Sequence, residues 1–160
     1  MRYAVAIGYP LRLCMERDRA AQGIERQDCR IVLTPEQALQ WGGLSGWREL
    51  REEEKPAAEA LAALGAAAAG DSAEEVLSAL AQCVPVRQGF CLPAEEGAAV
   101  QLGEEQILLT GFQEQLWLAA DGRHTLGAFL EEMELPWRSE PPEQQELLME
   151  NILGLASSEL

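Results

Sequence analysis

One segment of this 160-residue chain is written twice, and the echo restricts the architectures open to it. Ile31-Val32-Leu33-Thr34-Pro35-Glu36-Gln37 is followed by Trp41 and Gly46. Ile107-Leu108-Leu109-Thr110-Gly111-Phe112-Gln113 is followed by Trp117 and Gly122. Both copies read as a short apolar strand, a Thr-x-x-Gln cap, a helix carrying one Trp, and a Gly stop. Similarity kept in this order marks a repeated structural unit. Upstream, Pro10-Leu11-Arg12 echoes Pro85-Val86-Arg87, and Cys14 and Cys91 follow. The repeat divides the chain near Cys83 into residues 1–83 and 84–160.

The shared segment has a readable physical basis. The Thr hydroxyl accepts the N–H three residues on, and the Gln there reaches back to the Thr N–H, which is a capping box. Pro35 suits the first helical position, where its missing N–H would be unsatisfied anyway. Gly46 and Gly122 are expected to end the two helices.

The second unit reads as three strands followed by three helices. Phe90-Cys91-Leu92, Ala98 to Leu102 and Gln106 to Leu109 are strand candidates. Helix one spans about Phe112–Ala120, and Asp121-Gly122-Arg123-His124 is a turn. Thr125 caps helix two, where Leu126, Phe129, Leu130 and Met133 share one face. Pro136 stops it, and helix three covers about Glu143–Leu155, with Leu147, Leu148, Ile152 and Leu155 as its apolar stripe. In the first unit, Leu11–Cys14 and Arg30–Leu33 are strands, and polar Glu16–Asp28 is a long hairpin or loop. Helix one spans about Pro35–Leu44. Trp47–Lys55 continues as helix or linker, and the Ala/Leu run Pro56–Ala69 is helical by propensity. Ser72-x-x-Glu75 is a further capping box ahead of Val76, Leu77 and Leu80. The fold class expected is α+β, with two tandem winged-helix-like units of about three short antiparallel strands and three helices each.

Units near 80 residues lie close to the size at which a core is secure, so the copies are expected to pack on each other. Charge is segregated. Residues 1–55 hold nine basic and nine acidic side chains, whereas 56–160 hold three basic and eighteen acidic. So negative a surface repels phosphate and disfavours nucleic acid and anionic membranes. It points to a basic or hydrophobic peptide or protein partner, or to solubility alone. No run reaches transmembrane length, and the first residues do not form a signal peptide. Cys14, Cys29, Cys83 and Cys91 lack metal-ligand spacing and read as reduced, mostly buried thiols in a cytoplasm.

No catalytic constellation is legible. The single histidine, His124, reads as a surface turn residue. The acidic runs Glu52-Glu53-Glu54 and Glu131-Glu132-Glu134 read as solvated faces, not ligands. There is no Gly-rich phosphate loop. The chain is read as no enzyme, with no cofactor and no metal. Trp41 and Trp117 read as equivalent core residues. Trp47 and Trp137, unmatched between copies, suit an interdomain seam, an exposed contact or local packing.

From Gln113 to Leu130, around Leu116-Trp117-x-x-x-Asp121-Gly122-Arg123-x-Thr125-Leu126, the chain resembles the PqqD-like family, small winged-helix domains that recognise precursor peptides. The likeness covers about residues 84–160 and, through the repeat, extends weakly to 9–83. It implies three strands plus three helices, no catalysis, and capture of an extended peptide by strand addition at a sheet edge. The edge strand implied is Ile107–Thr110, with Ile107 and Leu109 as contacts. The helical wall implied is Leu147, Leu148, Asn151 and Ile152. Two copies in one chain and the long Pro136–Pro142 connection depart from the family pattern.

Two alternatives come from other classes. One is a winged-helix transcription regulator that contacts DNA through Arg12, Arg17, Arg19 and Arg26 of the first unit. The other is an acidic structural or inhibitory protein that occupies a basic partner.

Overall fold

A computed structural model describes residues 1–10, 14–16, 19–26, 29–93 and 97–157. The chain is mixed α+β and separates into two compact units, Met1–Ala79 and Leu80–Leu160. The division falls a few residues before the one expected at Cys83.

The first unit opens with β1 (Tyr3–Ala6), β2 (Tyr9–Pro10), β3 (Cys14–Glu16), β4 (Arg19–Arg26) and β5 (Cys29–Leu33). Helices α1 (Pro35–Gly42) and α2 (Lys55–Ala63) follow, then β6 (Ala67–Gly70) and α3 (Ala73–Leu80). β4 is central, pairing β2 and β3 on one side and β5 on the other, all antiparallel. The polar segment Glu16–Asp28, expected as hairpin or loop, thus supplies the middle strand. Within it Ile24 is a core residue, fully buried with Leu33 and Leu61. Residues 11–13, part of an expected strand, lie outside the described residues.

The Ala-rich run does not stay helical. Gly65, at φ +75°, donates to Ala62 O, and Ala66 N donates to Leu61 O at 2.9 Å. That pair of bonds is a Schellman stop, and it ends α2 six residues before propensity would. Ala67–Gly70 then pairs with β1, Tyr3 opposite Gly70 and Ala6 opposite Ala67. Small side chains suit a strand buried on both faces. Among the described residues the first unit therefore carries six strands, not three.

Trp47–Glu54 is not helical but connects α1 to α2. Leu50 N donates to Arg2 O at 2.7 Å, and Tyr3 stacks on Trp47 with ring centroids 4.4 Å apart. Trp47 packs locally. Next to it Arg48 and Arg51 hold the Glu54 carboxyl far below its ordinary range, through charged hydrogen bonds of 2.8 and 2.9 Å. At Ser72 only half of the expected box forms. Ser72 Oγ accepts from Glu75 N, but the Glu75 carboxylate turns to Asp71 N.

The second unit comprises β7 (Phe90–Pro93), β8 (Ala98–Leu102), β9 (Glu105–Leu109), α4 (Gly111–Ala119), α5 (Leu126–Glu132) and α6 (Pro142–Ser157). Three antiparallel strands in the order β7-β8-β9 precede three helices, as expected for this half. Its buried side chains include Val100, Leu116, Trp117, Leu130, Trp137 and Met149. Trp137 is thus an interior residue; its carbonyl accepts from buried Gln145 at 2.9 Å and Arg138 lies over its ring. α5 stops at a left-handed residue that is not glycine. Glu134, at φ +53°, donates to Glu131 O, and Leu135 N donates to Leu130 O. The stop precedes Pro136.

The two units share local geometry beyond the echoed sequence. In the β4–β5 hairpin Ile24 faces Ile31 and Gln22 faces Leu33; in the β8–β9 hairpin Val100 faces Ile107 and Ala98 faces Leu109. The paired ends correspond as well, Arg26 with Cys29 and Leu102 with Glu105. Both capping boxes close, at 3.0 and 3.2 Å for Thr34–Gln37 and at 3.1 and 3.3 Å for Thr110–Gln113. Half-buried Trp41 donates its indole N–H to Ile7 O and Ala66 O, and buried Trp117 donates to Gln88 O. Ala6 N donates to Leu44 O, and Arg87 N to Ala120 O, each at 3.0 Å.

The residue after each tryptophan's acceptor is a left-handed glycine. Gly8 has φ +104° and Gly89 has φ +77°. A Cβ on Gly8 would strike Ile24 Cγ2 and approach Glu25 O. A Cβ on Gly89 would lie 2.5 Å from Gln101 O and 2.7 Å from Val100 Cγ1. Only glycine meets both demands, the positive φ and the close strand. The upstream match is therefore Gly8-Tyr9 with Gly89-Phe90, not Pro10-Leu11-Arg12 with Pro85-Val86-Arg87. Pro10 sits in β2 opposite Ile24, whereas Val86 bridges Asp121. The helix stops differ too. α1 ends at Gly42 with Gly43 as its cap, so Gly46 stops nothing, and Gly122 lies in the turn beyond α4.

Candidate partner-binding edge

β9 is an edge strand of the second sheet, and so is β7. The two edges are not equivalent. β7 ends in Pro93, which has no N–H to offer a further strand. β9, Glu-Gln-Ile-Leu-Leu, has no proline and starts at the tight Gly103–Glu104 turn. A two-residue hairpin loop is flanked by a hydrogen-bonded pair, here Leu102 and Glu105, and such pairs alternate along the ladder. Glu105, Ile107 and Leu109 therefore bond to β8. The backbone N–H and C=O groups of Gln106 and Leu108 point outward from the sheet.

Strand parity divides the side chains. Ile107 and Leu109 share a face with buried Val100; Leu109 is 8 % exposed and Ile107 half-buried. Leu109 is thus a core residue. The opposite face carries Leu108, 70 % exposed, and Phe90, 77 % exposed. Fully buried Ala99 lies in register between Leu108 and Leu92, and Phe90 lies in the next row with Gln101 and Gln106. Sequence reasoning named Ile107 and Leu109 and passed over Leu108 and Phe90. The period of two was signal enough, given that Leu109 runs straight into a helix cap.

α6 reaches the end of β9 through that cap. Gln113 Oε1 accepts from Thr110 N, and its Nε2 donates to Asn151 O at 3.4 Å. The helix buries Gln145, Met149, Ile152, Leu153 and Leu155. Ile152, at 8 % exposure, belongs to the core, and Leu148 and Asn151 are half-buried. Leu147 is 52 % exposed, and the Asn151 amide donates to its carbonyl at 2.9 Å. Glu143 and Glu150 share its side of the helix by spacing and are exposed. Of the expected contacts, then, Leu147 is open, Ile107, Leu148 and Asn151 are partly open, and Leu109 and Ile152 are interior.

Residues 80–160 hold fourteen acidic side chains against Arg87, Arg123 and Arg138. Arg87 donates to Leu118 O at 3.2 Å and covers the Trp117 ring, and Arg138 lies 3.7 Å from Glu131. In the turn after α4, Asp121 Oδ1 accepts the backbone N–H groups of His124 and Arg123 at 3.0 and 2.8 Å, and Oδ2 lies 2.7 Å from His124 Nδ1. Those backbone bonds, with the His124 ring, hold the Asp121 carboxyl down at about 2.

Of the arginines considered for DNA, Arg19 and Arg26 are the first and last residues of β4, and Arg12 and Arg17 lie outside the described residues. The thiols of Cys29 and Cys91 are exposed and Cys83 is half-buried, so the expectation of mostly buried thiols is not met for these three. Among the described residues no group of three or more His, Cys, Asp or Glu forms a metal-ligand cluster, and no helix is long and apolar enough to cross a membrane. No protein-family model, curated protein or solved structure matches the chain.

Proposed function

We propose that this chain is a non-catalytic binding module, built as a tandem of two related units, that captures an extended peptide or protein segment by strand addition to β9. The observation that carries this reading is the unblocked edge of β9, with Gln106 and Leu108 presenting backbone groups outward while β7 is closed by Pro93. Backbone hydrogen bonds would supply affinity, and the side chains beside them selectivity. The order of three strands and three helices in the second unit, and the resemblance of its Trp-to-Thr turn to PqqD-like domains, point the same way. DNA recognition has less support, since α6 contains no Lys or Arg.

The test is a display library of extended peptides selected against the whole chain. Binders are then titrated into the isotope-labelled protein while the backbone amides are followed. Strand addition shifts Gln106 and Leu108 most strongly. Leu108→Pro removes an outward N–H at an edge, where proline is tolerated, and should abolish binding without unfolding the unit. Binders that leave those amides unmoved, or that bind Leu108→Pro equally well, refute the reading.

A further inference from the structure

Beside the open backbone of β9 lies a sheet face of unusual composition. A solvated sheet face normally alternates polar residues outward, yet this one presents Phe90, Leu92 and Leu108 to solvent with Ala99 buried between the leucines. The matching face of the first unit is different. Its register equivalents of Gln101 and Gln106 are Glu25 and Arg30, and Val32 stands where Leu108 does. The charged pair is therefore particular to the first unit, and in the second unit the apolar stripe runs up to the free edge. On the other face of β9 the residue nearest the turn is exposed Glu105, within a half of the chain that holds fourteen acidic and three basic side chains.

We infer that the occupant of the β9 edge is a strand of alternating character, apolar on the side that continues Phe90, Leu92 and Leu108, with Lys or Arg opposite Glu105 on the other. The inference rests on the strand-addition reading and specifies its partner. Side chains directly opposite across a ladder couple, and unlike charges or paired apolar groups are favoured. A second copy of this chain is a poor occupant, because it brings the same net charge of −15. Each matched pair should tighten binding by up to about fivefold.

Three synthetic peptides separate the contributions: alternating Val and Lys, the same residues in two blocks, and alternating Val and Glu. The alternating Val/Lys peptide should shift the amides of Gln106 and Leu108 and leave those of Arg30 and Val32, on the equivalent but basic edge, unmoved. It should bind more tightly than either of the others, by up to about fivefold for each matched pair lost. Leu108→Thr, at an exposed position, should remove the preference over the block peptide and keep the fold. If all three peptides shift Gln106 and Leu108 with equal affinity, the pattern is wrong and edge capture stands. If none shifts them while a display-selected binder does, the inferred chemistry is again wrong. If no peptide of any kind shifts them, strand addition falls and this inference with it.

Discussion

Leu108 stands directly opposite Ala99 across the β8–β9 ladder, the leucine 70 % exposed and the alanine fully buried. One step along the strand the pattern inverts, with Leu109 interior and packed into the end of the sheet. That parity fixes which side chains of β9 hold the unit together and which are available to a partner. Leu109→Ala should destabilise the protein by about 2–4 kcal/mol through cavity formation, whereas Leu108→Ala should change stability by less than about 0.5 kcal/mol. Chemical denaturation of the two variants tests the difference. Equal losses would contradict the assigned faces.

Gly89 is expected to accept no side chain. Its φ of +77° and the 2.5 Å approach of Gln101 O penalise Gly89→Ala twice, by about 2–3 kcal/mol in all. Gly8→Ala should behave alike, because the same demands recur there. Urea midpoints for the pair decide the matter. A neutral result at both positions would remove the geometric basis for equating the two units.

Glu134 offers the opposite experiment. It terminates α5 at φ +53°, a conformation that strains any residue with a Cβ. Glu134→Gly relieves the strain at the cost of a more flexible unfolded chain, for a net gain of about 0.5–1 kcal/mol. A thermal midpoint raised by a few degrees is the expected outcome; a lowered one would show that the Glu side chain supplies stabilisation of its own.

Asp121 gives a pH signature. Its folded-state value, about 2, lies below the ordinary 3.8, so its contribution to stability is complete above about pH 4. It is lost as pH falls through the folded value, when the carboxyl protonates. The gap in thermal midpoint between the native protein and Asp121→Asn should therefore be constant from pH 7 down to about pH 4 and narrow towards pH 2. A gap independent of pH throughout would mean that the amide replaces the carboxylate fully at the His124 and Arg123 N–H groups.

Much of the fold was legible because local and tertiary preferences agree. The two Thr-x-x-Gln caps form as read, and the three strands and three helices of the second unit follow in order. The departures occur where tertiary pairing overrides local preference. Ala67–Gly70 has helical composition, but the Schellman stop at Gly65 frees it to pair with β1. β4 looks like a polar loop because neighbouring strands on both sides satisfy its backbone while Ile24 anchors it in the core. On α6 the reading by leucines missed that Met149 and Gln145 take the buried stripe and leave Leu147 outside. The upstream repeat was masked because the stretch from Gly8 to Trp41 is five residues longer than that from Gly89 to Trp117.

Amide hydrogen exchange at Gln106 and Leu108 tests strand capture most directly. In the free protein both amides lie on an open edge and should exchange quickly, while Ile107, bonded to β8, exchanges slowly. Saturating alternating Val/Lys peptide should slow Gln106 and Leu108 to rates near that of Ile107 and leave Arg30 and Val32 of the first unit unchanged. Peptide binding that leaves Gln106 and Leu108 exchanging as fast as before would contradict strand addition at β9.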